Sequence, residues 1–121
     1  MIRRGLCVRS SHAPRHIYVV LNDPGPDGEI LIVNFTTRRL PRDAKEMVFT
    51  GDDYVRLTHP SIVAFWGAYS GASAQRLEAA IRNGDFTVLP EVPLRTLERI
   101  ITAARTSPHL SAAQKRLLAM G

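Results

Sequence analysis

The feature that most limits how this chain folds is the run Asn22-Asp23-Pro24-Gly25-Pro26-Asp27-Gly28, set between two apolar stretches. Proline presets φ, glycine admits positive φ, and Asn and Asp bond their own backbone, so this cluster ends one element and reverses the chain. Upstream lies Arg15-His16-Ile17-Tyr18-Val19-Val20-Leu21, and downstream Glu29-Ile30-Leu31-Ile32-Val33-Asn34-Phe35-Thr36. Both are rich in β-branched and aromatic residues, which fit a pleated, half-buried surface. Two such strands about a turn predict an antiparallel pair.

The rest of the chain is read around that pair. Residues 1–15 are basic and include a loop at Ser10-Ser11-His12-Ala13-Pro14; Arg38-Arg39-Leu40-Pro41-Arg42-Asp43 is a second basic loop. Residues 46–50 predict a third strand closed by Gly51-Asp52-Asp53. Residues 61–69 predict another, with Pro60 at or before its start because proline donates no ladder hydrogen bond. The period then changes. Ser73 caps a helix with Leu77, Ala80 and Ile81 on its apolar stripe, ending at Asn83-Gly84. Phe86-Thr87-Val88-Leu89 is a short apolar segment before Pro90. Leu94, Leu97, Ile100 and Ile101 then fall at helical spacing, and Ser107-Pro108 breaks that helix. Ser111 opens a last helix carrying Leu117, Leu118 and Met120.

Strands followed by helices predict one α+β domain over residues 1–121, with strands in about 1–70 and a mainly helical part from 73 to 121. A small antiparallel sheet closing into a barrel, with helices packed on one side, satisfies the pattern and removes exposed strand edges. At 121 residues, 45% hydrophobic and 22% charged, the chain has the size and composition of a single globular domain. No stretch reaches the roughly 18 apolar residues that span a bilayer, and the basic N-terminus lacks the apolar core of a secretory signal.

Cys7 is the only cysteine, which excludes an internal disulfide framework and a multi-cysteine zinc motif and fits a reducing cytoplasm. Its expected role is a small buried hydrophobe on a first strand. The net charge of +5 comes from 16 Lys+Arg against 11 Asp+Glu, and all the basic residues except Lys45 and Lys115 are arginine. This balance suits a polyanionic partner, because guanidinium pairs bidentately with phosphate; it equally suits an arginine-rich solvated surface. The chain lacks a phosphate-binding glycine loop, a Rossmann fingerprint and His-Glu-x-x-His. Its four histidines, His12, His16, His59 and His109, are too scattered for a metal motif, so neither metal nor cofactor is expected.

The segment Pro14-Arg15-His16-Ile17-Tyr18-Val19-Val20-Leu21, the long turn, and Ile30-Leu31-Ile32-Val33-Asn34-Phe35-Thr36-Thr37-Arg38 together resemble the MazF/PemK (Kid-like) toxins. In that family a basic, proline-containing entry leads into a valine-rich strand, and a second strand ends in paired hydroxyl residues. Met47-Val48-Phe49, Ser61-Ile62-Val63 and the Leu94-x-x-Leu97 helix follow in the family's order, so the likeness covers about residues 14–104. Ile17 stands where the family's proline falls, and His16 where its arginine often does. The resemblance implies an SH3-like, PemK-like barrel and metal-independent cleavage of single-stranded RNA. It further implies inhibition by a cognate antitoxin protein and a homodimeric state.

Metal-free RNA cleavage needs a base for the ribose 2′-hydroxyl, an acid for the departing 5′-oxygen, and positive charge on the phosphorane. His16 is the leading proton-transfer candidate because imidazole titrates near neutral pH. Arg15 or Arg38 would supply the cation, and Thr36 and Thr37 offer hydroxyls at a strand end. The family motif places a catalytic role on Arg15 or His16 and on Thr36 or Thr37, while Arg38, Arg39 and Arg42 form an expected RNA-backbone contact. Asp52 and His59 make a second, weaker constellation should loop 51–60 cover the barrel mouth. Phe65, Trp66 and Tyr69 could stack on bases, although core or interface packing is the first expectation for them. The competing reading is a non-enzymatic SH3-like barrel that binds nucleic acid or protein, and a third is an interaction subunit docking through its helical end.

Overall fold

The computed structural model of the chain describes residues 1–37, 47–69 and 72–120. Strands β1 (Cys7–Ser10), β2 (Ile17–Val20), β3 (Ile32–Thr37), β4 (Ser61–Val63) and β5 (Phe86–Leu89) form one sheet in the order β4-β3-β2-β1-β5, every pair antiparallel. Among the described residues three α-helices accompany it: α1 (Ala74–Arg82), α2 (Leu94–Thr106) and α3 (Ala112–Met120). No helix among the described residues is long and apolar enough to cross a membrane.

The two-residue alternation of the strands decides how the layers stack. Cys7, Ile17, Val19, Val33 and Phe35 face a core completed by Leu97, Ile100 and Ile101 of α2 and by Leu117 and Leu118 of α3. Their neighbours Val8 and Val20 face the other way, into a smaller core with Ile2, Leu6, Ile30 and Leu77 of α1. The sheet is therefore covered on both faces. This corrects the expectation of helices on one side: the α1 stripe of Leu77 and Ile81 packs on the face opposite α2 and α3. The barrel is also not what the described strands build, since the sheet is open, with β4 and β5 as its end strands.

The turn between β2 and β3 is held by Asn22, which is fully buried. Its side-chain oxygen accepts from Leu31 N at 2.7 Å, and its Nδ2 donates to the carbonyls of Asp23 and Glu29 at 3.0 and 3.1 Å. One side chain thus satisfies both ends of the reversal. Gly28 supplies the positive φ, +76°, that the turn requires while its N–H donates to Gly25 O at 2.8 Å.

Two expected strands are shorter than the sequence suggests. In the third, only Phe49 pairs, in an isolated bridge with Ser61; Glu46 lies outside the described residues. The run 61–69 is broken. After β4 the chain makes a 3-10 turn (Phe65–Gly67) and rejoins β3 at Tyr69, which exchanges both backbone hydrogen bonds with Ile32. Phe35 pairs with Val63 and Ile32 with Tyr69, so three steps along β3 match six along its partner. The 3-10 turn takes up the excess.

The short apolar segment before Pro90 is a full strand: β5 pairs with β1 from Cys7↔Leu89 to Ser10↔Phe86. The helix starts follow their capping residues. Ser73 Oγ accepts from Arg76 N at 3.1 Å. Ser111 and Gln114 form a reciprocal box, with Ser111 Oγ accepting from Gln114 N at 3.1 Å and Gln114 Oε1 from Ser111 N at 2.8 Å.

Candidate functional site

The alternation that builds two cores also sets what the ends of the strands present. A cleft of about 440 Å³ opens where β2 begins and β3 ends. Tyr18 pairs with Asn34, and carrying that register toward the start of β2 sets His16 across from Thr36 and Arg15 across from Thr37. On the far side of β3, Thr36 pairs with Ile62 and Thr37 with Ser61. Arg15, His16, Thr36 and Thr37 all line the cleft, as do Arg9 of β1 and the loop residues Arg56, Thr58 and His59.

These side chains divide between the two faces of the sheet's end. Arg15 and Thr37 share the parity of Ile17 and Phe35, which belong to the α2/α3 core. His16 and Thr36 share the parity of Tyr18, on the α1 side, and the His16 ring meets the Tyr18 ring edge-on at 6.3 Å. The cleft thus wraps the end of the sheet, with arginine and hydroxyl on one side and imidazole and hydroxyl on the other.

The loop that brings Arg56 and His59 to the cleft is fastened at both ends. Asp53 Oδ2 accepts from Thr50 N at 2.8 Å, its Oδ1 accepts from Arg99 Nη1 at 2.6 Å, and its backbone carbonyl accepts from Thr96 Oγ1 at 2.7 Å. The guanidinium of Arg99 also lies 4.7 Å above the Phe49 ring. At the other end, Ser61 Oγ donates to the carbonyl of His59 at 2.8 Å.

Beneath the loop, Tyr54 is buried and its hydroxyl donates to Pro90 O at 2.6 Å. Burial, with Cys7 as neighbour, pushes its phenol upward, while the cations of Arg56 and Arg9 act in the opposite direction. Both arginines also line the cleft. Burial likewise pushes the Cys7 thiol up to about 11, so at neutral pH it is a protonated core residue on β1.

Asp52 is not part of the cleft. It sits exposed in the turn after Thr50, its backbone N–H donating to Thr50 Oγ1 at 3.3 Å, so of the weaker pair only His59 joins the site. Arg38, Arg39 and Arg42 lie outside the described residues. Of the three candidate stacking residues, Phe65 is core, whereas Trp66 and Tyr69 are about half exposed. Arg9, Arg56 and Thr58 were not singled out from the sequence. Arg9 follows from β1 once its pairing with Ile17 is known, but a lone Arg56 in a loop carries no local signal. Among the described residues no group of three His, Cys, Asp or Glu side chains is placed to hold a metal ion. No family model, curated protein or solved structure matches this chain.

Proposed function

We propose that this protein cleaves single-stranded RNA, without a metal ion, at the cleft between the start of β2 and the end of β3, as the toxin of a toxin–antitoxin pair. The observation that carries the reading is the meeting of His16, His59, Arg15, Arg56, Thr36 and Thr37, from three separate segments, on one basic cleft. Two imidazoles supply both proton transfers that transesterification requires. One removes the proton of the ribose 2′-hydroxyl, whose oxygen attacks phosphorus. The other protonates the 5′-oxygen as the P–O5′ bond breaks, leaving a 2′,3′-cyclic phosphate and a 5′-hydroxyl. Arg15 or Arg56 neutralises the phosphorane, and one hydroxyl, of Thr36 or of Thr37, donates to an equatorial oxygen.

The PemK-like relationship, a cytoplasmic location, a homodimeric state and a cognate antitoxin that blocks the cleft belong to the same reading. Its support is the chain's order of elements and its net charge of +5. The test is cleavage of single-stranded RNA in the presence of chelator, with 5′-end mapping, by the wild type and by His16→Ala, His59→Ala and Thr36→Ala. Each histidine variant is expected to lose about 10²–10⁴-fold in rate with its fold intact. In a bacterial host, the wild type arrests growth with new RNA ends and the variants do not. A folded wild type that binds RNA but leaves it whole would make the protein a binding module instead.

A further inference from the structure

A second groove, of about 470 Å³, lies on the α1 face of the sheet. Its floor is the cross-strand row Val8–Tyr18–Asn34, which pairs in register across β1, β2 and β3. One wall is α1, through Arg76 and Ala80, and the other is the segment that carries Gly67 and Tyr69. The lining is largely apolar and aromatic, with the Asn34 amide, the Arg76 guanidinium and the hydroxyls of Tyr18 and Tyr69 as its polar groups.

We infer that this groove is the nucleobase subsite of the RNA cleft, holding a base next to the phosphate that is cut. The inference rests on the RNA reading above. Its geometric basis is a row of rings that joins the two cavities: His16, in the cleft, meets Tyr18 edge-on, and Tyr18 meets Phe86, in the groove, edge-on at 5.8 Å. On β3, Thr36 in the cleft and Asn34 in the groove are alternate residues on one face, so the two sites share a wall. A strand of RNA whose phosphate sits at His16 has its adjoining base beside Tyr18.

Tyr69 is the stacking platform. Its side chain is 58% exposed, yet its backbone is fixed by hydrogen bonds of 3.0 and 3.1 Å to and from Ile32. An aromatic face left in solvent on a rigid backbone stacks on a base with little ordering cost. Asn34 Nδ2 donates to Phe35 O at 3.2 Å, which leaves the amide oxygen to accept from a base edge, and Arg76 adds a cation for the flanking phosphate. A purely apolar ligand would use neither. A base on a phosphodiester uses both.

The experiment is fluorescence anisotropy with short 2′-O-methyl RNA oligomers, which bind but cannot be cut, and with the same oligomers made abasic. Wild type, Tyr69→Phe, Tyr69→Ala and Ala80→Leu would be compared, with thermal melts confirming the fold; Ala80→Leu fills the groove without removing a ring. The expected result is a loss of about 5- to 100-fold in affinity for base-bearing RNA with Tyr69→Ala and Ala80→Leu. Tyr69→Phe should bind like the wild type, and all four should bind abasic RNA alike. Wild-type binding that is indifferent to bases and to both groove variants overturns the subsite while leaving RNA binding at the cleft in place. A wild type that binds no RNA overturns the RNA reading and the subsite together. Sedimentation that reveals a dimer lost in Tyr69→Ala, with no base effect, assigns the groove to a second copy of the chain and overturns the inference.

Discussion

Asp53 and Arg99 are joined by an ion pair of 2.6 Å that fixes the loop bearing Arg56 and His59 to α2. Asp53 lies in the turn after Thr50 and Arg99 in the second turn of α2, so the contact couples the loop wall of the cleft to the helical layer. Both side chains are partly exposed, and the pair is reinforced by the Thr96 hydroxyl on Asp53 O and by Arg99 over Phe49.

Arg99→Ala removes the pair and the cover over Phe49 together. It is expected to cost about 1–2 kcal/mol in urea unfolding. RNA cleavage should fall too, although Arg99 does not line the cleft. Asp53→Ala should act alike, and the double variant should lose less than the sum of the two, as coupled partners do.

The two faces of the sheet should fail independently. Leu77→Ala empties the α1 core and Ile100→Ala the α2/α3 core, each at about 2–5 kcal/mol. Because the sheet separates them, the double variant should lose the sum within about 0.5 kcal/mol. Equilibrium denaturation decides this, and strong coupling would speak against a sheet covered on both faces.

Cys7 gives the fold an alkaline limit. Its thiol is pushed up to about 11 by burial, whereas an unfolded chain ionises it near the ordinary value of about 8.5. A raised pKa means that the stabilisation is complete below about pH 8.5 and is lost as pH climbs toward 11. The wild type should therefore lose about 1–3 kcal/mol more than Cys7→Ala between pH 8 and pH 11. A thiol reagent at neutral pH should modify native Cys7 only as fast as the protein opens.

The cleft arginines should appear in the salt dependence of RNA binding. Replacing Arg15 or Arg56 by Gln should flatten the plot of log affinity against log salt by about 0.7 each. Arg95→Gln, at the exposed start of α2 and outside the cleft, should leave the slope unchanged. Equal slopes for all three would disconnect the cleft from the phosphate backbone.

What was legible in the sequence is what is local. The reversal at 22–28, the caps Ser73 and Ser111, the break at Ser107-Pro108 and the burial of Cys7 each depend on a residue and its near neighbours. β-Branched and aromatic residues along 15–21 and 29–36 likewise marked strands, observed at Ile17–Val20 and Ile32–Thr37, before any partner was known. The register of β2 on β3, Tyr18 against Asn34, needed one further step, since a hairpin's register follows from its turn.

The site divides along the same line. Arg15 or His16 and Thr36 or Thr37 were named through the family resemblance carried by the two segments flanking the turn, and all four line the cleft. Arg9 and Arg56 reach the cleft only through contacts distant in sequence: β1 against β2, and a loop tied to α2 by Arg99. The same is true of the groove at Tyr69, where a 3-10 turn inside an apparently continuous strand leaves an aromatic ring in solvent.

By itself the sequence determined the class of fold, the positions of its turns and caps, and the basic character of the surface, because propensity, capping and charge act over a few residues. Only the tertiary structure decided the open order β4-β3-β2-β1-β5, the helices on both faces and the meeting of His59 and Arg56 with β2 and β3. Those outcomes turn on which apolar faces cover which. That choice depends on burying the alternating sides of a whole sheet at once, and no local stretch of chain contains it.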